Sequence, residues 1–587
     1  MSQKNPARKK YYIGLSCTFH DPAIAIINEA GEILYAEAVE RFIQSKRAAG
    51  VLCDDKNLVD ELIKKYCADG KEFIICYSWS KAFFNKLHLK ATFGIQSVEK
   101  KWVDYILKDM PANVLSSYDL VGYEYLQYGS LVQVGISLKR MLHIICPGSI
   151  IKEQYFNHHS THAAYACYTS PFDEGACLVM DGIGEGGSFS LYRYENNKIT
   201  PTYVQKKLAS LGFFYALITN LCGFDMYNGE QWKVMGLAPY GKLDNEYYNL
   251  LKSMVRIKDH DFEFTLVKPW VRSLQELSSR LNNGKRSFEE NAGMAFTGQY
   301  FFSEIMQKLL NGLYKLSPSE NLIYTGGCAL NSSFNGEIVK RTSFKKIYIP
   351  SAPSDDGNAI GAALLSFYKD NSLPDSIHRS YSPYLGSCIS GEVINKFFKF
   401  SGMEKTQHCV EHLAERTATL LADGKIVGWI QGRAEFGPRA LGNRSILADP
   451  RSSSMKDKIN STIKFREDFR PFAPSILHEY GNEYFEDYDY SPFMEKTFYY
   501  RKEVVNKIPA VVHVDNTGRL QSVKKETNEK FYSLIKSFNS KTGVPLLLNT
   551  SFNIMGKPII HTMEDAIGVF FTSGLDVLVA GDYIIEK

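Results

Sequence analysis

His158 and His162 lie four positions apart in the run His158-His159-Ser160-Thr161-His162. On a helix that spacing puts both imidazoles on one face, about one turn apart, so both can reach a single metal ion. Asp181 ends the apolar run Ala176 to Met180 and opens a glycine-rich turn. The acidic pair Asp355-Asp356 follows the end of another apolar run, Ile347 to Pro350. Imidazole and carboxylate ligands together suit iron, zinc or manganese. The histidine spacing alone also fits a surface or capping pair; the two acidic strand-end turns are what point to a metal centre.

A second constellation is cationic. Arg433, Arg439 and Arg444 punctuate Gln431 to Ser445, and Lys464, Arg466 and Arg470 follow in Lys464 to Pro474, interleaved with glycine, proline and aromatic residues. Guanidinium forks bind phosphate and carboxylate oxygens two at a time. An ordinary solvated charge run would be rich in Lys and Glu and helical, without Gly-Pro-Arg-Ala-Leu-Gly. The pattern predicts an anion pocket, and a compact pocket fits a small phosphorylated substrate better than nucleic acid.

Other segments carry weaker signals. Gly326 and Gly327, in Thr325 to Asn331, could let backbone N–H groups approach a nucleotide, although a tight turn explains them equally well. No Walker pattern is present. His20-Asp21 at the first strand–turn, Glu230 in Asn228 to Gly241, and Asn549 and Ser551 in Leu548 to Asn553 each read, taken alone, as structural.

The elements that must position these groups alternate between strand and helix, which predicts an α/β protein. Tyr12 to Ser16, Ala23 to Ile27 and Ile33 to Ala36 read as a strand-rich start. A similar strand–turn–strand unit recurs at Ala176 to Tyr192, which suggests a duplicated β/α core. Helical patterns run from Leu58 to Tyr66, Met294 to Tyr314 and His412 to Ala422. A linker texture around residues 370–385 divides the chain into 1–380 and 381–587. At 587 residues two or more domains are expected, and 44% hydrophobic with 22% charged residues is the balance of a soluble globular protein. A net charge of +4 gives no general case for nucleic-acid binding. Eleven scattered cysteines without a Cys-x-x-Cys pair argue for reduced thiols in the cytoplasm and against a zinc ribbon. No stretch approaches the roughly 20 apolar residues that span a bilayer, so no membrane partner is expected.

Taken together, these motifs, with His513-Val514-Asp515, resemble those of the NodU/CmcH family of O-carbamoyltransferases, tobramycin-type enzymes of natural-product biosynthesis among them. The resemblance covers essentially the whole chain. It implies an N-terminal domain of the actin/sugar-kinase (ASKHA) type and a YrdC-like C-terminal domain that makes carbamoyl adenylate from carbamoyl phosphate and ATP, with Mg²⁺. The N-terminal site, with Fe²⁺ or another divalent metal, would pass the carbamoyl group to a hydroxyl of a small acceptor: an antibiotic, an oligosaccharide or an alkaloid toxin. Carried over by residue, His158, His162, Asp181 and Asp355 would hold the metal, Asp355 being preferred to Asp356 for standing two places before Gly357. His20 would be the base, with Arg439, Lys464 and Arg466 as catalytic cations. The nucleotide and phosphates would lie against Gly326, Gly327, Asn331, Glu230, Arg433, Arg444, Arg470, Arg519, Asn549 and Ser551. Residues 50–150 carry no family motif and could hold acceptor specificity. A homodimer is compatible with the sequence. Threonylcarbamoyl transfer to tRNA and a non-catalytic nucleotide-binding regulator are the competing readings.

Overall fold

The computed structural model describes residues 9–371 and 381–587, apart from residues 19, 94–128, 206–209, 258–263, 268–269, 283–286, 404–407 and 410. The chain divides into two compact units. The first takes residues up to Phe42, then Arg47–Leu330 and Ile338–Tyr381; the second takes Ile43–Lys46, Asn331–Glu337 and Ser382–Lys587.

The first unit holds two five-stranded sheets of the same design. Strands β1 (Lys10–Ser16), β2 (Ala23–Asn28), β3 (Ile33–Ala38), β4 (Glu72–Tyr77) and β5 (Ile150–Tyr155) are ordered β3-β2-β1-β4-β5. In the second sheet β6 (Glu174–Met180), β7 (Phe189–Glu195) and β8 (Lys198–Val204) join β11 (Asn321–Thr325) and β12 (Lys346–Tyr348), ordered β12-β11-β6-β7-β8. Between β8 and β11 in sequence a short ribbon pairs β9 (Val255–Ile257) with β10 (Phe264–Leu266). In both large sheets an antiparallel meander of three strands is extended by two parallel strands on its first member. This is the duplicated β/α core expected from the sequence. Two helices, His158–Thr169 and Asn358–Asp370, pack face to face in this unit. Gly361 permits the close approach, since a Cβ there would lie 1.9 Å from the Thr161 carbonyl oxygen.

The second unit is built on one mixed sheet of nine strands. These are β13 (His408–Cys409), β14 (Val427–Ile430), β15 (Arg444–Ala448), β16 (Ala473–Leu477), β17 (Lys496–Tyr499), β18 (Thr517–Val523), β19 (Leu546–Ser551), β20 (Val577–Ala580) and β21 (Tyr583–Glu586), ordered β13-β21-β20-β14-β15-β19-β16-β18-β17. Helices Leu413–Ala422 and Glu529–Thr542 pack together, and Trp429, Phe531, Phe538 and Phe552 belong to one continuous apolar core. The segments 372–380 and 94–128, parts of the expected linker and of the region without motifs, lie outside the described residues. Among the described residues no helix is long and apolar enough to cross a membrane.

Candidate metal centre and cation cluster

The four expected metal ligands meet at one point in the first unit. Asp181 directly follows β6, His158 opens the helix after β5, and Asp355 lies in the turn after β12. The carboxyl ends of parallel strands are where such folds place their ligands. Asn157 caps the His158–Thr169 helix by accepting from the Ser160 N–H, which fixes where both histidines emerge. His158 Nε2 lies 3.3 Å from Asp181 Oδ2 and 3.5 Å from Asp355 Oδ1; His162 Nε2 lies 3.8 Å and 3.3 Å from the same two atoms. All four residues are buried, and their ligand atoms fall within 4.8 Å of one another.

The electrostatics of this cluster favour a cation. Burial would raise the Asp355 carboxyl, but its contacts with His158 and His162 hold it well below the usual carboxylate range. Asp181 is also lowered, burial and the Asp355 charge being outweighed by the two histidines. Burial pulls the His158 imidazole down, yet the two carboxylates push it up to about 10. Two carboxylates that keep a proton on a buried imidazole will equally hold a divalent ion in its place. The donor set and its spacing therefore fit a metal.

Surrounding groups orient these ligands. Gly327 donates its backbone N–H to Asp181 Oδ1 at 3.2 Å, and Thr18 donates its hydroxyl to Asp355 Oδ2 at 3.0 Å. Gly326 has φ +93°, and a Cβ on it would lie 2.2 Å from the Met180 carbonyl oxygen, so the glycine lets this turn sit against the end of β6. The Trp79 ring stacks on His158 with centroids 4.2 Å apart, and its Nε1–H donates to the Cys17 carbonyl. Glu185 accepts from the backbone N–H groups of Ser80 and His158. His20 Nδ1 lies 2.8 Å from Asp21 Oδ2 and 4.0 Å from Asp355 Oδ2. Asp356, next to the ligand Asp355, is buried and pushed well above the usual range by burial and by Asp21 and Glu40.

The second unit gathers a run of cations against which only Glu467 stands, paired with Arg470 at 3.4 Å among the described residues. Arg439 lies in the loop before β15, Lys464, Arg466 and Arg470 precede β16, and Arg519 stands on β18. Burial lowers the Arg519 guanidinium well below its ordinary value, and the charges of Arg439, Arg466 and Arg470 add to it. Arg466 is pushed down to about 9 by burial and by Arg470, and Arg439 to about 10 by burial. Arg466 lies over the Phe472 ring and is held through Nε by Asn460. Lys464 ends a π-turn over Asn460–Lys464, followed by Phe465 in the left-handed region at φ 45°. Such turns recur at functional sites.

With this geometry in view, the carbamoyltransferase N-terminus family model matches residues 11–364, and the carbamoyltransferase C-terminus model matches residues 418–587. The chain belongs to the carbamoyltransferase family. It is therefore an enzyme that transfers carbamoyl groups. An uncharacterised protein of Synechocystis sp. is 33% identical, covering 98% of this chain and 97% of its own length. Nodulation protein NolO of Bradyrhizobium diazoefficiens is 35% identical, covering 73% of this chain and 79% of its own. The 3'-hydroxymethylcephem-O-carbamoyltransferase of Amycolatopsis lactamdurans is 29% identical over 60% of this chain and 64% of its own length.

In this carbamoyltransferase not every expected anion ligand joins the cation cluster. Arg444 is fully buried and donates four hydrogen bonds to the carbonyls of Gln431, Asn443, Ser387 and Gly432. Arg433 likewise donates to the carbonyls of Gly386 and Leu385. Both side chains hold backbone, because buried loop carbonyls outside the strand ladders need internal donors. Lys464 donates to the Ser551 carbonyl and to the carbonyl and side-chain oxygens of Asn553, which ties the end of β19 to the π-turn. Asn549 donates to the Ala440 carbonyl, Ser475 and Gln521 within the buried sheet. Asn331 caps a short helix through the Phe334 N–H, and Glu230 pairs with Lys233.

Sequence reasoning missed Trp79, Glu185 and Glu435. Glu435 is fully buried and accepts the backbone N–H groups of Leu441, Asn443 and Arg444 through one oxygen, so it shapes the loop that carries Arg439. A lone acid inside the arginine-rich run was the available signal.

Proposed function

We propose that this carbamoyltransferase is an ATP-dependent O-carbamoyltransferase that works in two steps. In the second unit, carbamoyl phosphate loses inorganic phosphate to water. The resulting carbamate oxygen attacks the α-phosphorus of ATP, forming carbamoyl adenylate and expelling pyrophosphate. In the first unit, an acceptor hydroxyl attacks the carbamoyl carbon, the carbamoyl–adenylate bond breaks, AMP leaves and the hydroxyl proton passes to a base.

The observation that carries this reading is the cation cluster of Arg439, Arg466, Arg470 and Arg519, in which burial and the other three arginines lower Arg519, while Glu467 alone pairs with Arg470. Such a cluster is poised for a polyanion, and its fork-shaped donors suit the charge that develops on a departing pyrophosphate. Lys464 acts alongside by fixing the β19 end against the π-turn. In the first unit His20, held through Nδ1 by Asp21, has the arrangement of an oriented general base for the hydroxyl proton. A divalent ion held by His158, His162, Asp181 and Asp355, Fe²⁺ by family resemblance, would supply Lewis-acid polarisation and template the reacting groups.

The proposed acceptor is a small hydroxylated natural product, such as an antibiotic, an oligosaccharide or an alkaloid toxin; the similarity to a 3'-hydroxymethylcephem-O-carbamoyltransferase supports this reading. A cytoplasmic setting agrees with ten free cysteines among the described residues, nine of them buried. The reading is tested by mass spectrometry of reactions holding protein, carbamoyl phosphate, ATP, Mg²⁺, Fe²⁺ and a panel of hydroxylated metabolites. One carbamoyl group gained per AMP formed is the expected result. Turnover that consumes no ATP would overturn it.

A further inference from the structure

Asn358 opens the Asn358–Asp370 helix, three places after the ligand Asp355, and is fully buried. Its Nδ2 lies 3.0 Å from His162 Nε2. That nitrogen carries the lone pair His162 would give to an ion, and one lone pair cannot both accept the amide N–H and bind a metal. The other amide atom, Oδ1, is buried with no hydrogen-bond partner among the described residues. An unpaired buried carbonyl oxygen costs about 1–3 kcal/mol, so its presence beside a cluster built for a cation calls for a cause.

A half-turn of the amide exchanges its nitrogen and oxygen without moving the backbone. Oδ1 then stands where Nδ2 stands, about 3 Å from His162 Nε2. Around an ion with ligand bonds of about 2.1 Å, ligands at right angles are about 3.0 Å apart and tetrahedral ones about 3.4 Å. The Asn358 amide is therefore at the spacing of a ligand set at a right angle to His162, while three of the four histidine–aspartate separations, at 3.3, 3.3 and 3.5 Å, are nearer tetrahedral spacing and the fourth, His162 to Asp181, is wider at 3.8 Å.

We infer that Asn358 is a fifth metal ligand of this centre, through Oδ1, and that its amide turns as the ion enters. Without the ion, Nδ2 occupies the His162 lone pair; with it, the amide oxygen joins two imidazoles and two carboxylates. A hard carbonyl donor added to that set raises the coordination number above four and favours an ion such as Fe²⁺ or Mn²⁺ over tetrahedral Zn²⁺. This inference rests on the metal centre proposed above.

The test uses the full chain stripped with a chelator and titrated with Co²⁺ alone, following its visible absorption and its affinity by calorimetry. Asn358→Asp keeps the shape, removes the amide donor and adds an anionic oxygen; Asn358→Leu removes both. If Asn358 is a ligand, Asn358→Asp binds Co²⁺ at least as tightly as the wild type. Asn358→Leu then binds roughly 10–100-fold more weakly and shifts the absorption bands, with thermal unfolding checking that each variant is folded. If the aspartate variant loses as much affinity as the leucine variant, or if the leucine variant matches the wild type, Asn358 is no ligand although the centre stands. Failure of the wild type to take up Co²⁺ or Fe²⁺ overturns the centre and this inference together.

Discussion

Replacing Arg519 by methionine should make the protein more stable and at the same time remove its affinity for nucleotide. The Arg519 side chain forms no hydrogen bond or ion pair with the described residues, its Nε is buried without a partner, and its charge is opposed by Arg439, Arg466 and Arg470. Arg466, pushed down to about 9 by burial and by Arg470, sets the scale. The fall from the ordinary guanidinium value to about 9 corresponds to about 5 kcal/mol, and relaxation and water entry reduce what a real site shows to less than half, or about 2 kcal/mol. For a unit of this size that is a rise in Tm of about 4–8 °C. The assay is thermal unfolding of both proteins with and without an ATP analogue. The wild type should gain stability with ligand, about 2.7 kcal/mol at a hundredfold excess over Kd, whereas Arg519→Met should start higher and gain little. A fall in Tm for ligand-free Arg519→Met would refute the claim that the Arg519 charge is uncompensated.

Other outcomes follow from the same geometry. Glu435→Ala strands three buried N–H groups and should lower stability by at least 3 kcal/mol, read by urea unfolding, while Glu435→Gln keeps one acceptor oxygen and should lose less. Gly326→Ala forces a side chain into the Met180 backbone at φ +93° and should weaken the metal-site turn, seen as a lower Tm together with a lower metal affinity. Asp355→Asn should abolish tight divalent-ion binding in calorimetry and leave pyrophosphate release intact. With Arg466 depressed to about 9, the folded protein binds fewer protons than the unfolded chain between about 9 and the ordinary value above 12. Its destabilising contribution is therefore full below about 9 and fades as pH rises through that window; the stability gap between wild type and Arg466→Met, measured by urea unfolding from pH 7 to 10.5, should narrow.

Local pattern carried much of this architecture. The first three strands were legible from β-branched runs and a turn at Asn28 to Glu32, and they appear as β1, β2 and β3. The strand–turn–strand unit at Ala176 to Tyr192 starts the second sheet, so the duplication was visible where each half begins. Its completion by β4, β5, β11 and β12 depends on parallel pairing across long stretches of chain, which no local period encodes. At the site, residue type identified the groups that converge, but not how each donor is used. Arg439 and Arg444 look alike in sequence; one joins a charged cluster and the other spends its donors on four carbonyls. Trp79 and Glu185 reach His158 from strand ends distant in sequence, and nothing in their own neighbourhoods marks them. The transfer of residues 43–46 and 331–337 into the second unit is likewise a long-range packing outcome.

The most direct test uses His158→Ala protein supplied with carbamoyl phosphate, ATP and Mg²⁺, with pyrophosphate and nucleotide products measured in a single turnover. The two-step scheme requires one pyrophosphate released and one carbamoyl adenylate formed per active chain, with no carbamoyl group reaching an added acceptor. No pyrophosphate from this variant, in a preparation whose wild type carbamoylates the acceptor, would contradict the division of labour between the cation cluster and the histidine–aspartate centre.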